Sequence, residues 1–352
     1  MFNVADLVIS EQVTIVEALK KLDQTGKKVL FITDENNGLK ASLTDGDIRR
    51  WILASGDLNA CVSRAMHLKP RFIKKGEEHK ALKVLRQYGL DSLPVLNEAG
   101  CLIDVLFWHE LDGKWNRTNV LEGVPIIIMA GGKGTRLFPY TKILPKPLIP
   151  IGDTPIIEHI VNRFYNYGAQ RFFLTVNCKK NMIKSYFSEI EKDYVVEYVE
   201  EETPLGTGGS LSLLKGLIDC PFFVSNCDIL VDADYGDIYN HHVKNGNKMT
   251  IVTSLKNVVI PYGVIHLNGE GFISSMEEKP ELHYLVNTGL YVLEPDILAQ
   301  VPGDTIFHLT DLISQLTAKG EKVGVYPVSS ESFLDMGQFD ELEKMKRRLG
   351  IE

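Results

Sequence analysis

The chain has 352 residues, 44% hydrophobic and 24% charged, enough for two domains and a sizeable core. Its net charge of -8, from 38 Lys and Arg against 46 Asp and Glu, argues against a nucleic-acid-binding surface, because phosphate backbones demand a basic face. Five scattered cysteines without CxxC spacing fit a reducing compartment and no zinc site, and the lack of a basic leader or an apolar run of about 18 residues points to a cytoplasmic protein with no membrane partner.

Residues 1 to about 115 contain an internal repeat with an offset of 63. Ala18, Leu19 and Lys20 fall opposite Ala81, Leu82 and Lys83, and Leu22, Gln24 and Gly26 fall opposite Leu85, Gln87 and Gly89. Ile32, Leu39, Leu43 and Ile48 likewise face Val95, Leu102, Leu106 and Leu111. Each copy, at about 1–58 and 59–115, reads helix, strand, turn, strand, helix. Thr14, three residues before Glu17, marks a capping box, and turns fall at 36–38 and 99–100. Repeats of this size pair about a pseudo-twofold axis when neither can bury both faces alone.

This half, 1–118, resembles a pair of CBS motifs. The resemblance implies an adenine-nucleotide cleft between the copies. There the Thr44 hydroxyl and Asp47 carboxylate, in LTDGDI at 43–48, would hold the ribose and phosphate of a regulatory nucleotide. Phe107 and Glu110 stand opposite them in the second copy, so at most one such site is expected. A plain packing or dimerisation module is weighed equally.

The polar stretch 115–123 reads as a linker, and the second domain is expected over 124–352. Strands at 126–129, 172–176, 194–198 and 222–226 alternate with helices starting near 154–155, spanning 183–190 and following Gly209. That alternation predicts an α/β domain with a mostly parallel sheet and helices on both faces. Ligands of such sheets gather at the carboxyl ends of the strands.

The first of these strands empties into MAGGKGTRLFPYTKILPKPL at 129–148. Gly131, Gly132 and Gly134 let backbone N–H groups crowd an oxyanion, Thr135 follows, and Arg136 and Lys146 add positive charge. The P-loop pattern fails because its leading glycine would be Ile127, and the dinucleotide fingerprint fails at Leu137. GGxGTRL followed by PKP resembles the sugar-phosphate nucleotidyltransferases, which join an NTP to a sugar 1-phosphate. The resemblance implies a Rossmann-like mixed sheet of the GT-A kind, Mg²⁺ as cofactor, and NTP and sugar 1-phosphate as partners. A homo-oligomer is also expected.

Further motifs follow in that family's order. Asp228 ends the strand 222–226, with Cys227 where the family has glycine, and Asp335 sits in FLDMG at 333–337. Two such carboxylates suit Mg²⁺, which keeps waters and phosphate oxygens as its other ligands. LGTGG at 205–209 resembles the family segment over the base, so Gly206 and Thr207 join the nucleotide site. Glu201, five residues before Gly206, offers a bidentate acceptor for guanine N1–H and N2–H₂, which favours GTP, while a uracil or thymine N3–H is a second acceptable partner. The same residue also belongs to an acidic run, 200–202, that reads as a solvated strand end. For the sugar phosphate the resemblance implies Lys279 against the phosphate and Gly263, Glu278 and Asn287 against hydroxyls or an amine.

The second half resembles most the mannose-1-phosphate and glucosamine-1-phosphate guanylyltransferases. With its fused CBS pair the chain resembles the enzymes of bacterial legionaminic acid synthesis. The rival readings are an inactive nucleotide-sensing regulator and a glycosyltransferase. The paired carboxylates and lysines oppose the first, and the GGxGTR loop with PKP opposes the second.

Overall fold

The computed structural model describes residues 3–108, 111, 119–337, 343, 345 and 346. The chain divides into two compact units, Met1–Thr118 and Asn119–Glu352.

In the first unit the helix Ile15–Thr25 starts at the reciprocal Thr14 and Glu17 capping box and stops at Gly26, whose φ of 62° only glycine adopts freely. The repeat is visible in the strand register. Leu30 pairs with Leu43 and Leu93 with Leu106, and the bulge between Ile32 and Thr33 recurs between Val95 and Leu96. The two hairpin turns meet each other. Leu39 N–H donates to Gly100 C=O at 3.2 Å, Leu102 N–H donates to Asn37 C=O at 3.1 Å, and Gly38 bridges its own repeat mate, Cys101. A pseudo-twofold axis therefore runs between the turns, and Val29 and Phe31 of one copy share a core with Leu96, Val105 and Phe107 of the other. Phe107 is buried, with the Lys27 ammonium 4.0 Å from its ring centroid. Glu110 lies outside the described residues.

The second unit is built on strands Pro125–Met129 (β1), Arg171–Val176 (β2), Val195–Glu200 (β3), Phe222–Asn226 (β4), Met249–Val259 (β5), Glu281–Leu293 (β6) and Val323–Val328 (β7). They form one sheet in the order β3-β2-β1-β4-β6-β5-β7. The first four run parallel, β6 is antiparallel to β4 and β5, and β7 is parallel to β5. Continuous apolar runs such as PIIIM in β1 are buried on both faces, as a covered parallel sheet requires. Helices Ile156–Asn166 (α1), Lys180–Glu189 (α2) and Tyr235–Asn245 (α3) cover one face. Leu309–Ala318 (α4) and several 3₁₀ turns cover the other.

Two expectations need correction. No regular helix follows Gly209: a single turn, Gly206–Gly209, gives way to a 3₁₀ turn, Ser210–Leu214. Glycine and serine propagate helix poorly, and the two turns are held by packing instead. Residues 119–123 are not linker. Leu121 is fully buried and its N–H donates to Tyr167 C=O at 2.9 Å, so they belong to the second unit.

A buried polar cluster lies at the sheet edge away from the carboxyl ends of β1 and β4. His242 Nδ1 is 2.8 Å from Thr250 Oγ1, and Nε2 is 3.3 Å from Glu294 Oε1. Burial pushes the imidazole down to about 4. The unfolded chain therefore takes up a proton that the native state refuses, and stability falls as pH drops from about 6.5 toward 4. Glu294, whose carboxyl burial pushes up, acts in the opposite sense and moderates the loss. Urea unfolding at pH 7 and pH 5 is expected to differ by on the order of 1–2 kcal/mol, and His242→Gln should flatten that dependence. An unchanged slope in the variant would assign the effect elsewhere.

Candidate nucleotide site at the carboxyl edge of the sheet

β1 delivers the glycine loop. Ala130 N–H donates to Thr175 C=O at 2.9 Å, which ties the loop's start to β2. Gly134, at φ 64°, opens the 3₁₀ turn Thr135–Leu137, and Leu137 anchors that turn in the core. A Cβ on Gly134 would lie 2.8 Å from Thr141 Cγ2 and 2.9 Å from Lys146 Cβ. The glycine is therefore required twice, by its backbone angle and by the side chains packed on it. Gly132 and Thr135 are exposed, as is Arg136, which has no hydrogen-bonded or charged partner among the described residues. A cation left open to solvent beside exposed backbone amides is prepared for an anion.

Lys146 begins the 3₁₀ turn Lys146–Leu148, which buried Pro147 fixes from within. Its ammonium is ion-paired with Asp228, at the end of β4, with the two side chains 17% and 18% exposed. Two residues 82 apart in sequence thus meet at one strand edge. Cys227 takes an ordinary backbone conformation and turns its thiol into the core, where burial pushes it up to about 12. The glycine of the resembled family is not needed here, and the thiol packs in the core, away from the strand end.

Asp335 reaches the same place from the other end of the domain. Strands Ile229–Val231 and Phe333–Asp335 pair antiparallel with Ile229 opposite Asp335, and Met336 N–H donates to Asp228 C=O at 2.8 Å. Asp335 Oδ1 accepts from Gly337 N–H at 2.7 Å. The sequence alternatively reads Asp335 as the cap of a helix beginning near Gln338, a segment outside the described residues. Among the described residues no cluster of three or more His, Cys, Asp or Glu forms a self-sufficient metal cage. An aspartate pair with oxygen donors only therefore fits an ion such as Mg²⁺, which takes one or two carboxylates and completes its shell with water and phosphate. It does not fit zinc.

The acidic run 200–202 separates into different roles. Glu200 is exposed and holds Lys184 and, at 2.5 Å, Lys180. Glu201 is only 6% exposed, which overturns its reading as a solvated strand end. Its Oε2 accepts from Leu205 N–H at 3.2 Å. A Cβ on Gly131 would lie 2.8 Å from Oε1, so the carboxylate sits directly against the glycine loop. Burial holds its carboxyl above the ordinary range. The turn Gly206–Gly209 packs on 305–309: a Cβ on Gly206, at φ 80°, would meet Phe307 C=O at 2.6 Å, and Thr207 Oγ1 accepts from Leu309 N–H at 3.3 Å. His308 Nδ1 lies 3.4 Å from the Thr207 hydroxyl. No motif marks this histidine; only the HLTD pattern that opens α4 hints at its placement.

β5 and β6 run on beyond the sheet and carry the hairpin of strands Gly263–Leu267 and Ile273–Glu278. Gly263 pairs with Glu278, whose Oε2 would be 3.0 Å from a Cβ on the glycine. Lys279 has φ 48°, a region lysine seldom occupies and one enriched at functional sites. Asn287 is partly spent on its own turn, with Oδ1 accepting from Gly289 N–H at 3.0 Å and Nδ2 donating to Tyr291 Oη at 2.8 Å. In the first unit Thr44 and Asp47 serve the helix Asp45–Ala54. Asp47 Oδ2 accepts from Thr44 N–H at 2.9 Å and from its hydroxyl at 2.7 Å, while Oδ1 pairs with Arg50. The capping box engages the two groups that were expected to hold a nucleotide.

A profile of the nucleotidyl transferase family matches residues 126–350. The mannose-1-phosphate guanyltransferase of Yarrowia lipolytica is 35% identical over 221 residues, 60% of this chain and 60% of that protein. The bifunctional protein GlmU of Methanococcus maripaludis is 35% identical over 208 residues, 56% of this chain and 48% of that protein. The chain thus spans about half to three-fifths of the length of these curated relatives. HddC of Yersinia pseudotuberculosis, solved with GMP-PN, superimposes with a TM-score of 0.51 at 23% identity, covering 64% of this chain and 99% of its own. A putative glucose-1-phosphate thymidylyltransferase of Bacillus anthracis gives 0.51 at 19% identity, covering 64% of this chain and 94% of its own. At such identities the structural likeness shows a shared fold. No helix among the described residues is long and apolar enough to cross a membrane.

Proposed function

The chain belongs to the nucleotidyl transferase family, and on that premise we propose that it transfers a nucleotidyl group from GTP to a hexose or hexosamine 1-phosphate. A phosphate oxygen of the sugar attacks the α-phosphorus in line, an O–P bond forms, and the bond to the β-phosphate breaks to release pyrophosphate. The attacking oxygen is already anionic, so no proton need be removed and no covalent enzyme intermediate is needed. Catalysis is then positioning and charge stabilisation. The amides of Gly131, Gly132 and Gly134, with Thr135, Arg136 and Lys146, hold the triphosphate. Asp228 and Asp335 would hold Mg²⁺, which when bound supplies positive charge to the phosphates. Lys279 offsets the sugar phosphate, and Gly263, Glu278 and Asn287 orient the sugar.

The observation that carries this reading is that an anion-ready loop, Lys146, and two aspartates from distant segments share one edge of the sheet. A pyrophosphate-release screen of four NTPs against a panel of sugar 1-phosphates tests it. Turnover is expected with GTP, and no turnover with any pair would leave a binding protein instead.

Glu201 supports guanine as the base, together with the guanyltransferase names among the relatives. Glu201→Gln should lower kcat/KM for GTP at least tenfold more than for UTP, since one of two matched acceptors becomes a donor. Equal losses would show that the carboxylate acts only by supporting Gly131 and Leu205.

The first unit, read as a CBS pair, would make the chain a regulated enzyme of surface-glycan or legionaminic-acid-type precursor synthesis. Its support is the 63-residue repeat preserved in strand register. With Thr44 and Asp47 occupied in their cap, a regulatory nucleotide there must displace part of it. Calorimetric titration of AMP and ADP into the full chain decides between that and a packing role, which predicts no binding.

A further inference from the structure

We propose that Lys179 is a positioning residue for the phosphate-binding loop, clamping from outside the short helix that braces Gly134. The helix Tyr140–Ile143 follows the glycine loop and is a single turn. Its last carbonyls have no partner within so short a helix. The Lys179 ammonium fills that deficit, donating to Thr141 C=O at 2.7 Å and to Lys142 C=O at 2.8 Å. A cation at a helix C-terminus is favoured both by hydrogen bonding and by the peptide dipoles. The clamped residue is the one that touches the loop, since Thr141 Cγ2 and the Lys146 stem are the atoms a Cβ on Gly134 would strike.

The backbone of Lys179 points the same way. It sits at φ 54°, ψ 31°, at the start of α2, where its side chain makes no capping bond to the helix it precedes. A lysine held in the left-handed region is seldom seen unless its surroundings demand it. Two residues earlier Asn177 Nδ2 donates to Glu201 C=O at 2.7 Å. The loop that follows β2 therefore grips both sides of the site, the base side through Asn177 and the phosphate side through Lys179.

The catalytic importance of the clamp rests on the function proposed above, but its structural part can be tested independently. In the full-length protein, Lys179→Met and Lys179→Gly remove the ammonium, and the glycine variant also relieves the backbone. Both are expected to fold with wild-type circular dichroism and to be nicked by trypsin after Lys142 at least fivefold faster. Both should raise the dissociation constant for GTP about tenfold in calorimetry, with the KM for sugar 1-phosphate unchanged. Lys179→Arg should restore most of the GTP affinity. Wild-type nicking rates in both variants would overturn the clamp. Faster nicking with unaltered GTP affinity would overturn its role at the phosphate site. Failure of the wild-type protein to bind GTP, with nicking still accelerated, would count against the proposed function and leave the clamp standing.

Discussion

Asp228→Asn is expected to lower kcat by about 10²–10³-fold or more, the cost of removing a charge that organises the transition state, while the domain stays folded. The substitution keeps the volume and shape of the side chain while turning one acceptor oxygen into an NH₂ donor. The backbone contact that places the residue, Met336 N–H to Asp228 C=O, does not involve the side chain. What disappears is one of two carboxylates able to hold a divalent ion, and with it the counter-charge of Lys146. The amide leaves the ammonium without its anion before substrate arrives, so GTP measured without metal should bind at least as tightly as to wild type. The pairing of lost turnover with retained nucleotide binding is the signature sought. It is read by pyrophosphate release together with calorimetry and near-ultraviolet circular dichroism. Turnover within tenfold of wild type would remove Asp228 from the metal site, and joint loss of GTP binding and native dichroism would show a structural role.

The parts of the fold that sequence displays most plainly are those governed by short-range rules. The capping box at Thr14 and Glu17, the turns at Asn37 and Gly100, and the alternation of β1, α1, β2, α2, β3 and β4 all follow from local patterns. So does the repeat, because two segments with the same apolar pattern take the same register. The antiparallel insertion of β6 between β4 and β5 is a different matter. It is decided by a return of the chain over many residues, and no local pattern marks it.

The site divides in the same manner. The glycine loop can be read because only glycine tolerates its angles and contacts, and Asp228 can be placed because strand ends collect ligands. The meeting of Asp228 with Lys146, or of Ile229 with Asp335, is tertiary and emerges only from the fold. Glu201 shows the limit most clearly. Its neighbours Glu200 and Glu202 are exposed, and nothing in three successive glutamates reveals that the middle one turns inward beneath Gly131. Thr44 and Asp47 show the converse, since T-x-x-D is equally the pattern of a capping box and of a ribose-binding pair. Lys179 carries no motif at all, because its task is set by carbonyls 37 and 38 residues away.

Arg136 provides the second large effect. It stands exposed at the end of the glycine loop with no hydrogen-bonded or charged partner among the described residues, so its replacement removes no polar interaction among them and should leave the melting temperature unaltered. Arg136→Ala is expected to lower kcat/KM for GTP by about 10²-fold, the scale on which a fixed donor to a reacting phosphate acts. Arg136→Lys should recover less than tenfold of that loss, because an ammonium restores the charge but not the planar fork that grips two phosphate oxygens at once. Lys133, exposed on the same loop, is the control for charge alone. Lys133→Ala should cost no more than about threefold, and raising the salt concentration should erase the difference, as screening demands for an exposed charge. The measurement is kcat/KM for GTP in low and high salt for all three variants, with direct titration of GTP alongside. If Arg136→Lys matched wild type, or if Arg136→Ala and Lys133→Ala gave the same salt-sensitive loss, Arg136 would be part of a diffuse positive field and not a phosphate ligand.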